Sequence, residues 1–350
     1  MPSQLAHLVF AVEAIKNAFD RLPVPLDSPF LAFGAQGPDV FYHNRRRKPS
    51  GLEYGALLHR RGYGTAVAAL VAYGRERNIP FDSDYGAYVA GFATHALFDR
   101  IAHPFVNYFA GWGVGEQSSA AEALPFQLHA YLERVLDALL LQRYWHQRAD
   151  AFDFLAAFDC GPQLPLPVAE GLARALTSVT DRAARDNSLL IRLHNVYLDS
   201  LSFYGNTNLV DVSRMRMMMD HVRSPEQLAR WLSLLHPIEP PTELDPANER
   251  NARWFHPCDA NEVRYESFWD LFAQAIRRSP DMLQAVASCW RDEISAGELA
   301  TIVGNQNLSD GRHEGRPCRK RHSSPLPLAQ HLNTLLQQLL QREADCPTPG

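Results

Sequence analysis

Apolar residues recur every three or four positions along most of the chain, and this spacing predicts a largely helical protein. In the first segment Leu5, Leu8, Val12 and Ile15 form one apolar stripe, as on an amphipathic helix. Further helices are predicted over residues 54–77, 85–103, 124–147, 326–343 and, with interruptions, 168–274. Pro104 is expected to end the helix over 85–103. Because no alternating apolar and polar run is long enough to predict a sheet, the predicted fold is all-α.

Two segments rich in proline, glycine or charge mark the expected divisions of the chain. Residues 161–167 indicate a linker, and residues 310–325 (DGRHEGRPCRKRHSSP) are polar and basic, as expected of a flexible connector. We therefore expect an N-terminal domain over residues 1–160 and a helical second half over 161–305 that packs on it. A basic linker and a terminal amphipathic helix would follow over 306–350.

Composition and charge favour a soluble globular protein without a transmembrane segment and count against a nucleic-acid partner. Of the 350 residues, 46% are hydrophobic and 21% charged, which is ordinary for a globular chain with a buried core. The formal net charge of −5 gives no general reason to expect binding to nucleic acid or anionic membranes. No run approaches the roughly 18 to 20 apolar residues that span a bilayer, and the first segment lacks the features of a secretory signal. A cytoplasmic location is therefore expected.

The cysteines support the same expectation. They are odd in number and widely scattered, and none belongs to a CxxC pair; they are Cys160, Cys258, Cys289, Cys318 and Cys346. This pattern predicts neither a disulfide framework nor a thiolate zinc site. A reducing compartment fits best.

The strongest candidate for chemistry is a motif of two histidines and an aspartate on one predicted helix. His95, Asp99 and His103 are spaced four residues apart, so they lie on one helix face, with neighbouring Cβ atoms about 5–6 Å apart. Because the rest of this helix is apolar, burying three polar groups is costly unless each is paired or coordinates a metal. The alternative is a structural His–Asp hydrogen bond with His103 at the helix end.

A second predicted helix presents the same residue types. His129 and Glu133 are four residues apart in LHAYLERVLDALL, and Asp137 follows at the same step. Two helices that each supply histidine and carboxylate are what a metal site in a helix bundle requires. Asp137 would either orient His129 or Glu133 from behind or be solvated.

Three earlier residues complete the candidate set. His7 interrupts the apolar stripe of the first helix, Asp39 follows a Gly37-Pro38 turn, and His59 follows two leucines. Each residue taken singly is more often structural than functional, and together they gain weight only through the two later motifs. His43 has no comparable setting and is left out of the set.

These pieces occur in an order that resembles a known family. The matching segments are MPSQLAHLVF, FGAQGPDVFYHN, Leu58-His59, GFATHALFDRIAHPFVNY and LHAYLERVLD, with a weaker match over residues 244–275. Together they resemble the bacterial zinc-dependent phospholipase C family (phospholipase C/D domain), which is related to P1/S1-type nucleases. The resemblance implies an all-helical bundle of that type, here with a helical C-terminal extension, and a zinc-binding domain over residues 1–160.

The resemblance also implies a ligand set. Asp39, His59, His95 and Asp99 would hold one zinc; His103, His129 and Glu133 would hold a second; and His7, with Asp99 as a bridge, would hold a third. The chain departs from the secreted members in two ways. No Trp near the start closes the third site, and the last histidine follows the aspartate by only four positions. Two or three zinc ions are therefore expected.

The activity implied by the family is hydrolysis of a phosphodiester, in a phospholipid or a related phosphate ester, with Asp39 as a ligand and general base. The basic run Arg45–Lys48 would attract a phosphate or be a solvated loop. Phe105, Tyr108 and Trp112 would form an apolar lip or belong to the core. Two alternatives are a P1-like nuclease for single strands, against which the acidic balance counts, and a non-catalytic protein stabilised by zinc. The sequence leaves the oligomeric state open.

Overall fold

The computed structural model describes residues 4–18, 23–111 and 123–345, apart from the side chains of 123–126 and 343–345. Within these residues the first seven helices are α1 Gln4–Asn17, α2 Pro29–Ala35, α3 Val40–His43, α4 Leu52–Arg60, α5 Tyr63–Glu76, α6 Asp84–Ala110 and α7 Ala123–Trp145. The next six are α8 Phe154–Phe158, α9 Leu166–Val179, α10 Asp181–Ala184, α11 Leu189–Thr207, α12 Val212–Asp220 and α13 Pro225–Leu232. Two short strands, β1 Trp254–His256 and β2 Asp259–Arg264, precede α14 Phe268–Trp290, α15 Ala296–Val303 and α16 Leu328–Asp345. The predicted all-α class is confirmed.

Helix α6 is the centre of the bundle. It packs against α1, α2, α5, α7 and α14, and nearly all of its side chains are buried. Ser83 caps its first turn by accepting a hydrogen bond from the Gly86 amide, and Gly111, in the left-handed region at φ +72°, ends it. This buried helix carries three of the candidate ligands.

The prediction that Pro104 ends α6 is wrong, because the helix continues six residues further to Ala110. A proline inside a helix removes one backbone hydrogen bond and costs about 3 kcal/mol. The turns that follow Pro104 bury Phe105, Val106 and Tyr108. Burying each large apolar side chain contributes roughly 1.5–3 kcal/mol, which is enough to offset that cost.

Two other helix predictions are corrected in detail. The single helix expected over 54–77 is divided into α4 and α5 at Gly62, whose φ of +72° lies in the left-handed region; a Cβ there would lie 2.5 Å from Val179. Helix α1 was expected to be amphipathic, yet it is buried on nearly all sides. It lies between α6, α7 and α14, so its polar residues Gln4 and His7 face the interior.

Three expectations fail in the C-terminal half. Strands β1 and β2 form an antiparallel hairpin, with Trp254 opposite Arg264, although no strand was predicted. The segment 310–325 is not a free connector, because it packs on the bundle and buries Asp310 and Lys320. The cysteine prediction is also wrong, because Cys258 and Cys318 form a disulfide 60 residues apart in sequence.

The location and the domain division stay predictions. Among the described residues, no helix has the length and apolar character of a membrane span. The disulfide removes the cysteine argument for a reducing compartment, since disulfides are rare in the cytoplasm. The three-part division of the chain is not tested by the packing of its helices.

Candidate metal centre

Five separate elements bring the eight candidate ligands into one interior region. Their positions are His7 on α1, Asp39 at the end of the 3₁₀ turn Gly37–Asp39, His59 in the last turn of α4, His95, Asp99 and His103 on α6, and His129 and Glu133 on α7. Every one of these side chains is buried. They fall into three groups in which one nitrogen or oxygen from each residue lies within 4.8 Å of the others.

The first group consists of Asp39, His59 and His95. The His59 Nε2 atom lies 2.9 Å from Asp39 Oδ1, and His95 Nε2 lies 4.0 Å from Asp39 Oδ2. The approach of the turn to α6 requires the glycine at position 37. Its φ is +52°, and a Cβ there would lie 2.4 Å from the His95 ring, so only glycine lets the backbone bring Asp39 this close.

The second group consists of His7, His95 and Asp99. Asp99 lies at the middle of the centre, with His7 Nε2 3.2 Å from Oδ1 and His95 Nε2 3.3 Å from Oδ2. Its Oδ2 is also 3.3 Å from Nδ1 of His103. Asp99 therefore links α1 to both histidines of its own helix.

The third group consists of His103, His129 and Glu133. Oε1 of Glu133 lies 3.2 Å from Nε2 of His129 and 3.5 Å from Nε2 of His103. One residue comes from α6 and two come from α7, and the four-residue spacing of His129 and Glu133 puts these two on one face of α7.

Backbone carbonyls fix the orientation of three histidine rings. Nδ1 of His59 lies 2.8 Å from the carbonyl oxygen of Gly55, and Nδ1 of His95 lies 3.0 Å from that of Ala35. Nδ1 of His103 lies 3.2 Å from the carbonyl oxygen of Leu308. A carbonyl only accepts, so Nδ1 carries a proton in each ring, which leaves Nε2 as the atom that each neutral ring can offer to a metal. Metal-binding histidines are commonly held in this way.

Several buried polar atoms of the centre have no hydrogen-bond partner among the described residues. They are His7 Nδ1, both carboxylate oxygens of Asp39, His95 Nε2, Asp99 Oδ2 and Glu133 Oε2. Most buried polar atoms in proteins are hydrogen-bonded, so such a concentration calls for an explanation. Imidazole nitrogens and carboxylate oxygens without thiolate suit zinc. A metal ion would satisfy these atoms together, and the donor set therefore fits zinc.

The carboxylates of the centre are held in their charged form. Burial opposes ionisation of Asp99, but the His103 and His95 imidazoles outweigh it and keep the pKa of Asp99 well below its usual range. The pKa values of Asp39 and Glu133 are lowered in the same way by neighbouring histidines. Ionised carboxylates are the form that binds a metal.

The pKa values of His103 and His129 are shifted in opposite directions. Burial disfavours protonation of His103, but Asp99 and Glu133 outweigh it and raise its pKa to about 10. Burial lowers the pKa of His129 to about 4 in spite of Glu133. Without a metal, His103 therefore carries the positive charge that a bound cation would replace.

A small cavity lies beside the centre, between α1, α6 and α7. Its polar wall contains His7, Asp99, His103 and Glu133, and its apolar wall contains residues such as Phe98. An apolar wall beside charged ligands keeps water out and strengthens the electrostatic interactions there.

The remaining sequence candidates have structural roles. His43 is buried, stacks on Phe203 and does not belong to the three groups. Arg47 pairs with Asp199 at 2.6 Å, while the other residues of the basic run are exposed. Phe105 and Tyr108 belong to the core, and Trp112 lies outside the described residues.

Sequence reasoning missed two supports of the centre. Asp137 is fully buried rather than solvated. It accepts hydrogen bonds from the backbone amides of Gln4 and Ala6 and so holds α1 against α7. Leu308, which orients His103, lies 205 residues further along the chain. In the sequence, the role of Asp137 was indicated only by a charged residue in an otherwise apolar helix, and nothing indicated the role of Leu308.

One family comparison agrees with this geometry. Residues 6–161 match the sequence model of the family described as zinc dependent phospholipase C, and this range contains all eight candidate ligands. No significant match was found among curated proteins or among solved structures. The segment 6–161, which is less than half of the chain and holds the clustered histidines and carboxylates, is therefore similar to the zinc-dependent phospholipase C family.

Proposed function

We propose that the chain is a zinc-dependent phosphoric-ester hydrolase that cleaves a phosphodiester, in a phospholipid or a related phosphate ester. The observation that carries the proposal is the convergence of five imidazoles and three carboxylates from five elements in three neighbouring groups. Two of the groups share His95, and Asp99 Oδ2, 3.3 Å from His103 Nδ1, connects them to the third. Closely spaced metal positions are typical of enzymes that transfer phosphoryl groups.

Eight side chains would hold the metal. Asp39, His59 and His95 would hold one zinc ion with help from Asp99, and His103, His129 and Glu133 would hold another. His7 and Asp99 would supply a third position. Zinc bound there would act as a Lewis acid towards water and a phosphoryl oxygen.

The residues of the chain would supply positioning and proton transfer. Asp39 has two buried oxygens for which the described residues supply no hydrogen-bond partner, and its pKa is lowered, so it is charged at neutral pH. One oxygen would bind metal while the other accepts a proton from the attacking water. The carbonyl contacts of His59, His95 and His103 would hold the ligand geometry during the reaction.

One observation favours a second candidate. All eight ligands are buried, none more than 8% exposed, as in a protein that uses zinc only to stabilise its fold. A catalytic centre differs by keeping a position open to water and substrate. The two candidates share the metal site and differ only in turnover.

The test is metal content by elemental analysis combined with hydrolysis assays on a generic phosphodiester, phosphatidylcholine and single-stranded DNA. We expect two or three zinc ions per chain and hydrolysis of a phosphodiester that stops when a chelator is added. Zinc without turnover on all three substrates would support the structural candidate. A chain that binds no zinc would contradict both.

A further inference from the structure

Residues 305–326, here called the strap, pass beside the metal centre and contact α4 and α6 there. The amide of Leu308 donates a hydrogen bond of 2.8 Å to the carbonyl oxygen of His59. The carbonyl oxygen of Leu308 faces Nδ1 of His103 at 3.2 Å. Leu308 is fully buried. One residue of the strap therefore positions ligands from α4 and α6, which belong to two different metal groups.

Further contacts hold the strap along both helices. The Gly315 amide donates to the carbonyl oxygen of Arg60 at 2.7 Å. The Asn107 side chain, one turn after His103, donates to the Ser309 carbonyl at 3.0 Å and accepts from Lys320 Nζ at 2.8 Å. The strap thus contacts α4 directly after His59 and α6 one turn after His103.

The Cys258–Cys318 disulfide fastens the strap to the β1–β2 hairpin. Both cysteines are partly exposed, which leaves the bond accessible to a reductant. The Cys318 amide donates to Asp310 Oδ2 at 2.6 Å, and Asp310 is buried two residues after Leu308. The covalent link is therefore connected to Leu308 through a short, hydrogen-bonded piece of chain.

We propose that the strap is a redox-dependent clasp that positions the metal ligands His59 and His103. This inference rests on the proposed metal centre. When the disulfide is formed, the strap holds the Leu308 carbonyl against His103 and closes the centre. Reduction by a dithiol, which becomes a disulfide itself, delivers two electrons and two protons and leaves two thiols at Cys258 and Cys318. The strap is then held only by hydrogen bonds, and metal retention weakens.

The expected size of the effect follows from the role of Leu308. Loss of the outer hydrogen-bond partner of a metal-binding histidine lowers metal affinity by roughly 10- to 100-fold. The strap segment lies outside residues 6–161, which carry the family match. The clasp is therefore a property of this chain's C-terminal half acting on its N-terminal ligands.

The test compares zinc affinity, by competition with a chromophoric chelator, in oxidised and reduced protein. A trialkylphosphine, oxidised to its phosphine oxide with oxygen from water, serves as the reductant because dithiols bind zinc. The double variant Cys258→Ser/Cys318→Ser removes the disulfide without leaving thiols that could capture the metal. Cys160→Ser, which removes a cysteine outside the disulfide, is the matched control. Circular dichroism checks that each variant is folded.

We expect the weakest zinc ion to be bound roughly 10- to 100-fold less tightly in the double variant and in reduced wild type. The oxidised Cys160→Ser protein should match oxidised wild type, and the reductant should not affect the double variant. Equal zinc affinity in folded double variant and oxidised wild type would overturn the clasp while leaving the proposed function intact.

A second readout separates failure of the clasp from failure of the metal centre. Hydrogen exchange of residues 305–326 should become faster when the disulfide is reduced, whether or not zinc is present. A chain that binds no zinc in either redox state would contradict the proposed function. Hydrogen exchange of the strap would then be the remaining test of the clasp. Unchanged exchange on reduction would overturn it.

Discussion

Helix α7 contributes a carboxylate to each of two buried polar clusters, and the two carboxylates have opposite surroundings. Glu133 belongs to the metal centre, and Asp137, one turn further on, forms a structural cluster with Arg134 and His236. Glu133 in the metal centre faces the imidazoles of His103 and His129, and its Oε2 has no hydrogen-bond partner in the described parts of the chain. Asp137 accepts from two backbone amides of α1, from Arg134 Nη1 at 3.1 Å and from His236 Nε2 at 2.8 Å. Both side chains are buried.

We interpret the difference as that between a candidate metal site and a structural network. Asp137 is compensated by donors of the protein itself, so its burial needs no further ligand. The metal centre instead concentrates acceptors and lone pairs that face one another, which is costly in a buried region unless a cation is present. Burial and titratable residues alone do not distinguish the two clusters, whereas the balance of donors and acceptors does.

The largest expected effect is a loss of metal from Asp99→Asn. Asp99 contacts His7, His95 and His103, and the neutral amide is a poor zinc ligand. We expect the variant to lose at least one zinc ion per chain and to lower hydrolysis roughly a hundredfold or more, since metal stabilisation of the transition state is worth several kcal/mol. Elemental analysis and the phosphodiester assay measure this.

Asp137→Asn is the matched control for Asp99→Asn, because it makes the same chemical change in the other cluster. It should keep its zinc. Full metal content in Asp99→Asn, or equal metal loss in both variants, would remove the distinction between the clusters.

The next effect is on stability and concerns the structural cluster. Asp137→Ala leaves Arg134 buried without its acidic partner and removes the acceptor for the α1 amides. Breaking a buried pair in this way costs about 3–5 kcal/mol. Urea unfolding of metal-free protein should show a fall of this size in the free energy of unfolding. A loss below about 1 kcal/mol, the value of an ordinary hydrogen bond, would show that Asp137 does not hold α1.

Zinc itself should stabilise the fold through the metal centre only. At a free zinc concentration 100 times the dissociation constant, binding to the folded state adds about 2.7 kcal/mol to the free energy of unfolding. The shift should disappear on addition of chelator and be reduced in Asp99→Asn, while Asp137→Asn should keep it. Thermal unfolding with and without zinc measures the shift, and an equal response from both variants would contradict the assignment.

The smallest expected effect is a pH dependence from the structural cluster. Burial lowers the pKa of His236, although Asp137 opposes the shift. The unfolded chain binds the proton near pH 6.5, so the contribution of neutral His236 is present above that pH. It is lost as the pH falls from about 6.5 towards the lowered folded value.

His236→Gln should therefore flatten the stability curve between pH 7 and 5, by at most about 1.4 kcal/mol per pH unit. Urea unfolding at several pH values in the presence of chelator measures the slope. The variant of an exposed histidine, His146→Gln, should keep the wild-type slope. Identical slopes for all three proteins would exclude a role for His236.

The features that could be predicted from sequence are local. The four-residue spacing of His95, Asp99 and His103 places them on one helix face whatever surrounds the helix. The same reasoning placed His129 and Glu133 on α7. Asp39, His59 and His7 needed the family resemblance as well, because nothing in their local sequence says that they meet.

The features that could not be predicted depend on partners far along the chain. Continuation of α6 past Pro104 depends on tertiary burial, which overrides the local effect of proline. The contact of Leu308 with His103 and the Cys258–Cys318 disulfide join positions 205 and 60 residues apart. A basic, glycine-containing segment such as 310–325 is typical of a loop, and only its contacts with the bundle reveal that it is fixed.

Anomalous scattering at the zinc edge, from crystals of protein purified without added metal, tests the metal centre most directly. We predict separate peaks among Asp39, His59 and His95 and among His103, His129 and Glu133, each about 2.0–2.1 Å from its histidine nitrogens. Crystals without a peak in this region, with the eight side chains instead hydrogen-bonded to one another or to water, would contradict the zinc centre and the hydrolase built on it.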